Sequence, residues 1–515
     1  MMLVKRKSGV LFHISSLASP FGTGDLGPGA YEFADFLNNS SQRLWQILPL
    51  NPTQSAFGDS PYSSISAFAG NTLFISPSLL AKEKLLEEED IKPLPAFSAG
   101  SVDYSQVRDY KNGLFENIFK RIIKKLDKDF HFNFFCEDNE FWLDDYSLFA
   151  VLNEHFKGKI WNEWPRVIRD RKKDALQDFK NKYKEKILEI KYLQYLFFKQ
   201  WLRLRLYCNQ KKIQIIGDLP LYINYHSADV WAHPELFKLD KHKRPLVVAG
   251  VPPDYFSEDG QLWNNPIYSW DTLKMSGYDW WVKRMGHNFK IFDWIRLDHF
   301  RGFSDYWEVP AGEATARNGV WKTGPGDDLF NALIDYFPQL PIITEDLGDI
   351  DPGVRELRDQ FGFPGMRILQ FAFGGDKSAL VHKPHNYISN CVAYTGTHDN
   401  NTITGWLAEG IDTAKLTKKK LTGVVDRERR LALEYAGVKD TELKEAHWAF
   451  LRVLMASPAS CVIFPLQDIL GLDGKARMNT PGTAEGNWKW RLPGPLIKEH
   501  IVKKLKKLTE TYDRS

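Results

Sequence analysis

Apolar positions along this chain fall into two rhythms. Short apolar runs, each closed by a polar or turn residue, recur at 9–15, 45–50, 213–218, 293–299, 341–346, 366–371, 391–399 and 461–466. Runs of that length between turn signals read as strands buried on both faces. Between them, apolar residues recur every three or four positions, the rhythm of an amphipathic helix. Residues 28–38 show it through Tyr31, Phe33, Ala34 and Leu37. Asp351-Pro352 opens another helix, a cap followed by a first-turn proline. Residues 427–445 supply a charged helix, and 496–508 put Ile497, Ile501, Leu505 and Leu508 on one face, as in a terminal helix packed on the body. Eight strands alternating with helices predict an α/β fold, a closed (β/α)8 TIM barrel. A doubly wound sheet is the rival, but it gathers its chemistry at one switch point, and here polar clusters follow several strands.

The alternation lapses twice. Residues 51–212 are too many for a crossover and contain charged, aromatic-rich helical segments such as 186–207. No Pro/Gly/Ser-rich linker brackets them, so they are expected as a mostly helical insertion subdomain folded against the barrel after strand two. Residues 221–292 are expected as a loop subdomain over the active site, after strand three. The whole chain, 1–515, is then one catalytic barrel with no separate C-terminal β domain.

Composition narrows the choice of partners. A formal net charge of +3 over 515 residues implies no nucleic-acid partner. Four cysteines, Cys136, Cys208, Cys391 and Cys461, have no close spacing and suggest buried thiols rather than a disulfide framework or a zinc site. The first residues lack a signal-peptide pattern, and no run approaches the ~18 apolar residues of a membrane span. A cytoplasmic protein with no membrane partner is the expectation. The aromatic share, 14%, is high. Trp and Tyr in loops offer apolar faces with a polar edge, which suit sugar rings.

Candidate chemistry sits at strand ends. Asp218, Asp298, Glu345 with Asp346, and Asp399 each follow an apolar run, and a barrel would bring them to one mouth. Carboxylates alone fit metal binding, enolisation or aldol chemistry, or glycosidic cleavage. A metal site would want more histidine or a tighter cage, and no strand ends in the lysine of an aldolase. No metal and no cofactor are therefore expected. Glycoside chemistry needs one ionised and one protonated carboxyl. Arg296, two residues before Asp298, shares its side of the strand and would keep that aspartate ionised as a nucleophile. Glu345 ends the apolar run Ile342-Ile343-Thr344, where desolvation would raise its pKa towards an acid/base role. Asp399 can hydrogen-bond sugar hydroxyls as the ring flattens.

At this point the residues resemble a known family. Arg296-Leu297-Asp298-His299-Phe300-Arg301-Gly302, Thr344-Glu345-Asp346-Leu347-Gly348 and Tyr394-Thr395-Gly396-Thr397-His398-Asp399-Asn400 look like signature segments of the 4-α-glucanotransferases, or amylomaltases, relatives of the α-amylases. The likeness begins with Ser8-Gly9-Val10-Leu11 and Gly24-Asp25-Leu26-Gly27 and extends through Gly58-Asp59-Ser60-Pro61-Tyr62, Ser227-Ala228-Asp229-Val230-Trp231-Ala232 and Gly250-Val251-Pro252-Pro253-Asp254-Tyr255-Phe256-Ser257 to Asn479-Thr480-Pro481-Gly482-Thr483 and Asn487-Trp488-Lys489-Trp490-Arg491. His226 departs from it, standing where members commonly carry an acid.

The resemblance implies a retaining double displacement, with Asp298 as nucleophile, Glu345 as acid/base and Asp399 as transition-state stabiliser. It implies a donor site lined by Asp218, Arg296, His299 and His398. The acceptor side would be shaped by Ser60, Tyr62, Tyr255, Phe256, Gln261 and Trp263. Maltodextrins and starch or glycogen fragments would be substrates, with another glucan or glucose as acceptor. Two other readings stand beside it: an α-1,4-glucan hydrolase using the same carboxylates, and a non-catalytic glucan-binding protein.

Overall fold

A computed structural model describes residues 5–253, 257–348, 350–375, 377–409, 424–439, 445–494 and 497–515, the side chains of 424–426 excepted. Eight parallel strands close into a barrel: β1 (Lys7–Leu11), β2 (Leu44–Gln46), β3 (Gln214–Leu219), β6 (Trp294–Leu297), β9 (Ile342–Thr344), β10 (Gly365–Ile368), β11 (Cys391–Tyr394) and β12 (Cys461–Pro465). They stand in chain order around the ring, and β1 pairs with β12 to shut it, Lys7 opposite Cys461 and Leu11 opposite Pro465. This is the predicted fold, with every expected strand in place. β2, β6, β9, β11 and β12 are buried at every position, as strands sandwiched between barrel interior and helices must be.

Most expected strands stop sooner than the apolar pattern suggests. After Ile368 the chain turns into a 3-10 helix, Leu369–Phe373, and β11 ends at Tyr394. Leu369, Gln370, Ala372 and Phe373 in that 3-10 helix are buried all the same, so burial alone does not mark where the ladder ends. Gly217 on β3 has a packing reason: a Cβ there would lie 2.2 Å from the Phe292 ring.

Between β2 and β3 the chain is mostly helical, and its longest helix is Lys184–Gln210. That helix grips the loop running out of β2. The Gln194 amide exchanges two hydrogen bonds with the Gly70 backbone, at 2.8 and 3.0 Å. Gln200 accepts the Ser76 N–H at 2.8 Å. Such bonds satisfy backbone groups that burial would otherwise strand.

A second sheet was not foreseen. β4 (Val247–Val251), β5 (Gln261–Pro266), β7 (Asp305–Pro310) and β8 (Val320–Thr323) form an antiparallel sheet in the order β5-β4-β7-β8. Its first two strands follow β3 and its last two follow β6, so it ties together excursions from adjacent barrel strands on the side where those strands end. Among the described residues no strand follows β12. The chain finishes with the helix Glu499–Thr511, whose Leu505 is fully buried.

Candidate active site

The C-terminal ends of β3, β6, β9 and β11 bring four acids to one mouth, and Arg296 organises three of them. Its guanidinium is buried on β6. Nη1 donates to both oxygens of Asp218, at 2.7 and 2.8 Å. Nη2 lies 2.9 Å from Asp298 Oδ1 and 3.6 Å from Glu345 Oε2. Those two carboxylate oxygens therefore can be no further apart than the sum of the two contacts. A planar fork suits this task, since it meets several oxygens in fixed directions.

Glu345 leaves β9 with its N–H donated to Leu297 O at 3.0 Å, tying its backbone to β6. Its carboxylate accepts the His299 N–H at 2.6 Å. His299 holds φ at +50°, a left-handed conformation rare outside glycine. Burial pushes the Glu345 carboxyl up to about 8, helped by the negative charge of Asp298 and opposed by Arg296 and the His299 N–H. The site thus favours a protonated Glu345 at neutral pH.

The neighbouring acid plays another part. Asp346 faces away, accepting from Arg358 at 2.5 Å, the Met366 N–H at 2.7 Å and Arg367 at 3.3 Å. Adjacent residues at a strand end point to opposite sides. One acid reaches the mouth and the other knits β9 to β10.

Asp218 lies behind the mouth rather than on its surface. Its side chain has no exposed area, and it takes the Tyr62 hydroxyl hydrogen at 2.7 Å in addition to Arg296. Burial raises its pKa, while Arg296 works against that rise. Tyr62 is positioned by this bond and by the Ser60 hydroxyl, which accepts its N–H at 3.2 Å. Its ring stacks on His398, with centroids 5.1 Å apart and planes 18° apart. Across the mouth, Trp263 on β5 stands edge-on to His299 at 4.7 Å, and Gln261 accepts the Trp263 indole N–H at 3.2 Å. Burial lowers the His299 pKa to about 4, so its ring is neutral. Tyr255 and Phe256 lie outside the described residues.

Asp399 is the most exposed of the acids, at 44% of its side chain, against 27% for Asp298 and 19% for Glu345. It is held from the side by residues that sequence reasoning gave no role. Asn479 donates to its carboxylate at 2.6 Å, while Arg477 donates to its backbone carbonyl at 2.5 Å and to Asn479 O at 2.6 Å. His398 Nε2 lies 3.4 Å from the carboxylate. Trp488 packs within 5.9 Å of both Tyr62 and His398. Asn479 and Trp488 stood in motifs already singled out, but Arg477 had no signal. His226 serves packing: its Nδ1 accepts the Trp161 N–H at 3.2 Å, and its Nε2 meets Asn153 at 2.9 Å.

Among the described residues no three or more His, Cys, Asp or Glu side chains gather as a metal cage. What the mouth assembles is a carboxyl group that favours its neutral form beside a carboxylate, both against one cation, with aromatic faces around them. That pairing suits acid-assisted displacement at a sugar carbon.

Comparisons with known proteins agree with that chemistry. The family model described as 4-alpha-glucanotransferase matches residues 12–497. A 4-alpha-glucanotransferase of Aquifex aeolicus is 45% identical over 515 residues, covering 99% of each chain. One from Synechocystis is 44% identical, covering 100% of this chain and 99% of its own. The solved amylomaltase from Streptococcus agalactiae, in complex with acarbose, superposes with a TM-score of 0.92 at 40% identity, covering 99% of this chain and 100% of its own. Matched in sequence and in structure from end to end, the chain belongs to the 4-alpha-glucanotransferase family.

Proposed function

We propose that this enzyme moves α-1,4-glucan segments between maltodextrins through a glucosyl ester on Asp298. In the first step the Asp298 carboxylate bonds to the anomeric carbon. The bond from that carbon to the leaving O4 breaks, and Glu345 gives its proton to that oxygen. In the second step Glu345, now ionised, takes the proton from an acceptor 4-hydroxyl. The acceptor oxygen bonds to the anomeric carbon and Asp298 departs. Two inversions return the α configuration.

The observation that carries this reading is the sharing of Arg296 Nη2 between Asp298 and Glu345. It places a cation against the nucleophile while burial keeps its partner protonated. Asp399, steadied by Asn479, is positioned for hydroxyls whose hydrogen bonds tighten as the ring flattens. Tyr62 and Trp263 fit the flanks where sugar faces stack, with Tyr255 and Phe256 assigned to the same acceptor side. Aromatic walls that exclude water favour a sugar hydroxyl over hydrolysis. Starch or glycogen fragments are the donors we assign, and a second glucan or glucose is the acceptor. Four free cysteines fit a reducing compartment, the cytoplasm.

Incubation with maltotriose tests it. A ladder of longer maltodextrins together with glucose is expected. New reducing ends in proportion to bonds broken, without longer products, would mean hydrolysis instead.

A further inference from the structure

The tip of β12 supplies no group to the chemistry above, yet Asp468, just beyond it, is buried against both ends of the loop that carries Asp399. Its Oδ2 accepts the Thr395 hydroxyl hydrogen at 2.5 Å, and its Oδ1 accepts the Ile403 N–H at 2.7 Å. Thr395 follows the last residue of β11, and Ile403 opens the helix Ile403–Ala408. One carboxylate therefore clasps the span 395–403 from behind. We propose that Asp468 is a positioning residue for glucan transfer: it fixes the loop on which Asp399 stands, and so sets where that acid meets the sugar. The proposal rests on the reading of Asp399 as the stabilising carboxylate.

The loop is braced across its middle. Asn400 Oδ1 accepts the Thr397 N–H at 2.8 Å and the Thr397 hydroxyl at 3.0 Å. The Thr397 hydroxyl oxygen in turn accepts the Asp399 N–H at 3.2 Å. A segment braced in this way moves as one piece, so its ends decide where Asp399 points. The tip of β12 reaches the second support as well: Gln467 donates to Ala476 O at 3.2 Å, one residue before the Arg477 that holds the Asp399 carbonyl.

The energetics favour a role beyond packing. Burial pushes the Asp468 carboxyl up to about 6, opposed by the Thr395 hydroxyl and the Ile403 N–H, and among the described residues no cation is paired with it. At neutral pH it is thus ionised and buried without a counter-ion, which costs the fold stability. Two separate neutral side chains could satisfy the two ends at lower cost. They would not hold those ends in fixed relation to each other, as one short carboxylate with an acceptor towards each does.

The test is the initial rate of glucose release from maltotriose by the full chain. Asp468→Ala should lower kcat about 10²-fold while KM changes less than about twofold, because a displaced Asp399 weakens the transition state more than the bound sugar. Asp468→Asn can still meet both ends, its amide accepting the Ile403 N–H and donating to a Thr395 hydroxyl that turns round. It should regain about tenfold of the lost rate, since the bonds lose only their charge assistance. Thr395→Val frees one end alone and should lower kcat about tenfold, which keeps the question open to measurement if Asp468→Ala does not fold. A double-mutant cycle then separates positioning from plain stability. In an Asp399→Ala background the Asp468 and Thr395 substitutions should cost less than about twofold more, because the group they place is gone. The same loss in both backgrounds overturns the proposal, as does a loss that falls on KM alone or an unchanged kcat. A near-parental rate from Asp399→Ala itself would strike the reading of Asp399, and the role of Asp468 with it.

Discussion

At the scale of single residues, Arg296 and Glu345 set the chemistry. Glu345 works as an acid only while protonated, and burial holds its pKa near 8. Transfer should therefore persist through neutral pH and decline as pH rises through about 8. A rate profile flat to pH 10 would contradict the assignment. Glu345→Gln should lower kcat about 10²–10⁴-fold on maltotriose, with much less loss in the first release of fluoride from a maltosyl fluoride, whose leaving group needs no proton. Arg296 faces three acids at once, so Arg296→Ala leaves buried negative charge unpaired and should cost about 3–5 kcal/mol of stability. Arg296→Lys should fold better than Arg296→Ala yet stay poorly active, because an ammonium cannot reproduce the fork. Chemical denaturation and initial rates separate the two effects.

At the scale of elements, the site depends on how firmly its loops are held. Gln194 and Gln200, on the helix Lys184–Gln210, tie down the loop that carries Ser60 and Tyr62. Gln194→Ala leaves the buried Gly70 N–H and C=O without partners and should cost about 1–3 kcal/mol for each group stranded. It should also raise KM more than it lowers kcat, because it frees a sugar-stacking ring rather than a reacting group. An unchanged KM would mean that the loop holds its place without the helix.

The same elements show what could be read from sequence. The barrel strands were legible because each is an apolar run that ends in turn chemistry. The mouth acids Asp298, Glu345 and Asp399 were legible because they close such runs. The sheet β5-β4-β7-β8 was not. It is assembled from segments on either side of β6, and its strand Gln261–Pro266 contains two asparagines and a proline with no clean alternation. β8, Val320–Thr323, is exposed at every position, so its apolar Val320 and Trp321 mark no buried face. Arg477 and Asn479 escaped notice as supports of Asp399 because they lie in irregular coil, where spacing carries no geometry. Asp218 was expected on the donor surface, but its position behind Arg296 depends on a pairing across strands that no local pattern encodes.

At the scale of the whole molecule, closure of the barrel and protonation of its mouth govern stability. The last turn of chain plugs the barrel's N-terminal end: the Arg514 guanidinium, fully buried, donates to carbonyls of Met455, Ala459 and Ser457 at 2.8 to 2.9 Å, and its own carbonyl accepts the Ser8 N–H at 3.1 Å. Arg514→Met should lower the melting temperature while leaving the ratio of transfer to hydrolysis unaltered. Because the raised pKa of Glu345 makes the folded state bind a proton that the unfolded chain has released, this group's contribution falls as pH rises between about 4.5 and 8. Glu345→Gln should remove that part of the pH dependence.

Covalent capture on Asp298 is the most direct test of the central claim. The Glu345→Gln enzyme, given α-maltotriosyl fluoride, can lose fluoride without acid help but lacks the base that activates an acceptor. Intact-mass spectrometry should then show one maltotriosyl unit added per chain, and peptide mapping should place it on Asp298. An adduct on any other residue, or none while fluoride is still released, would contradict the double displacement described here.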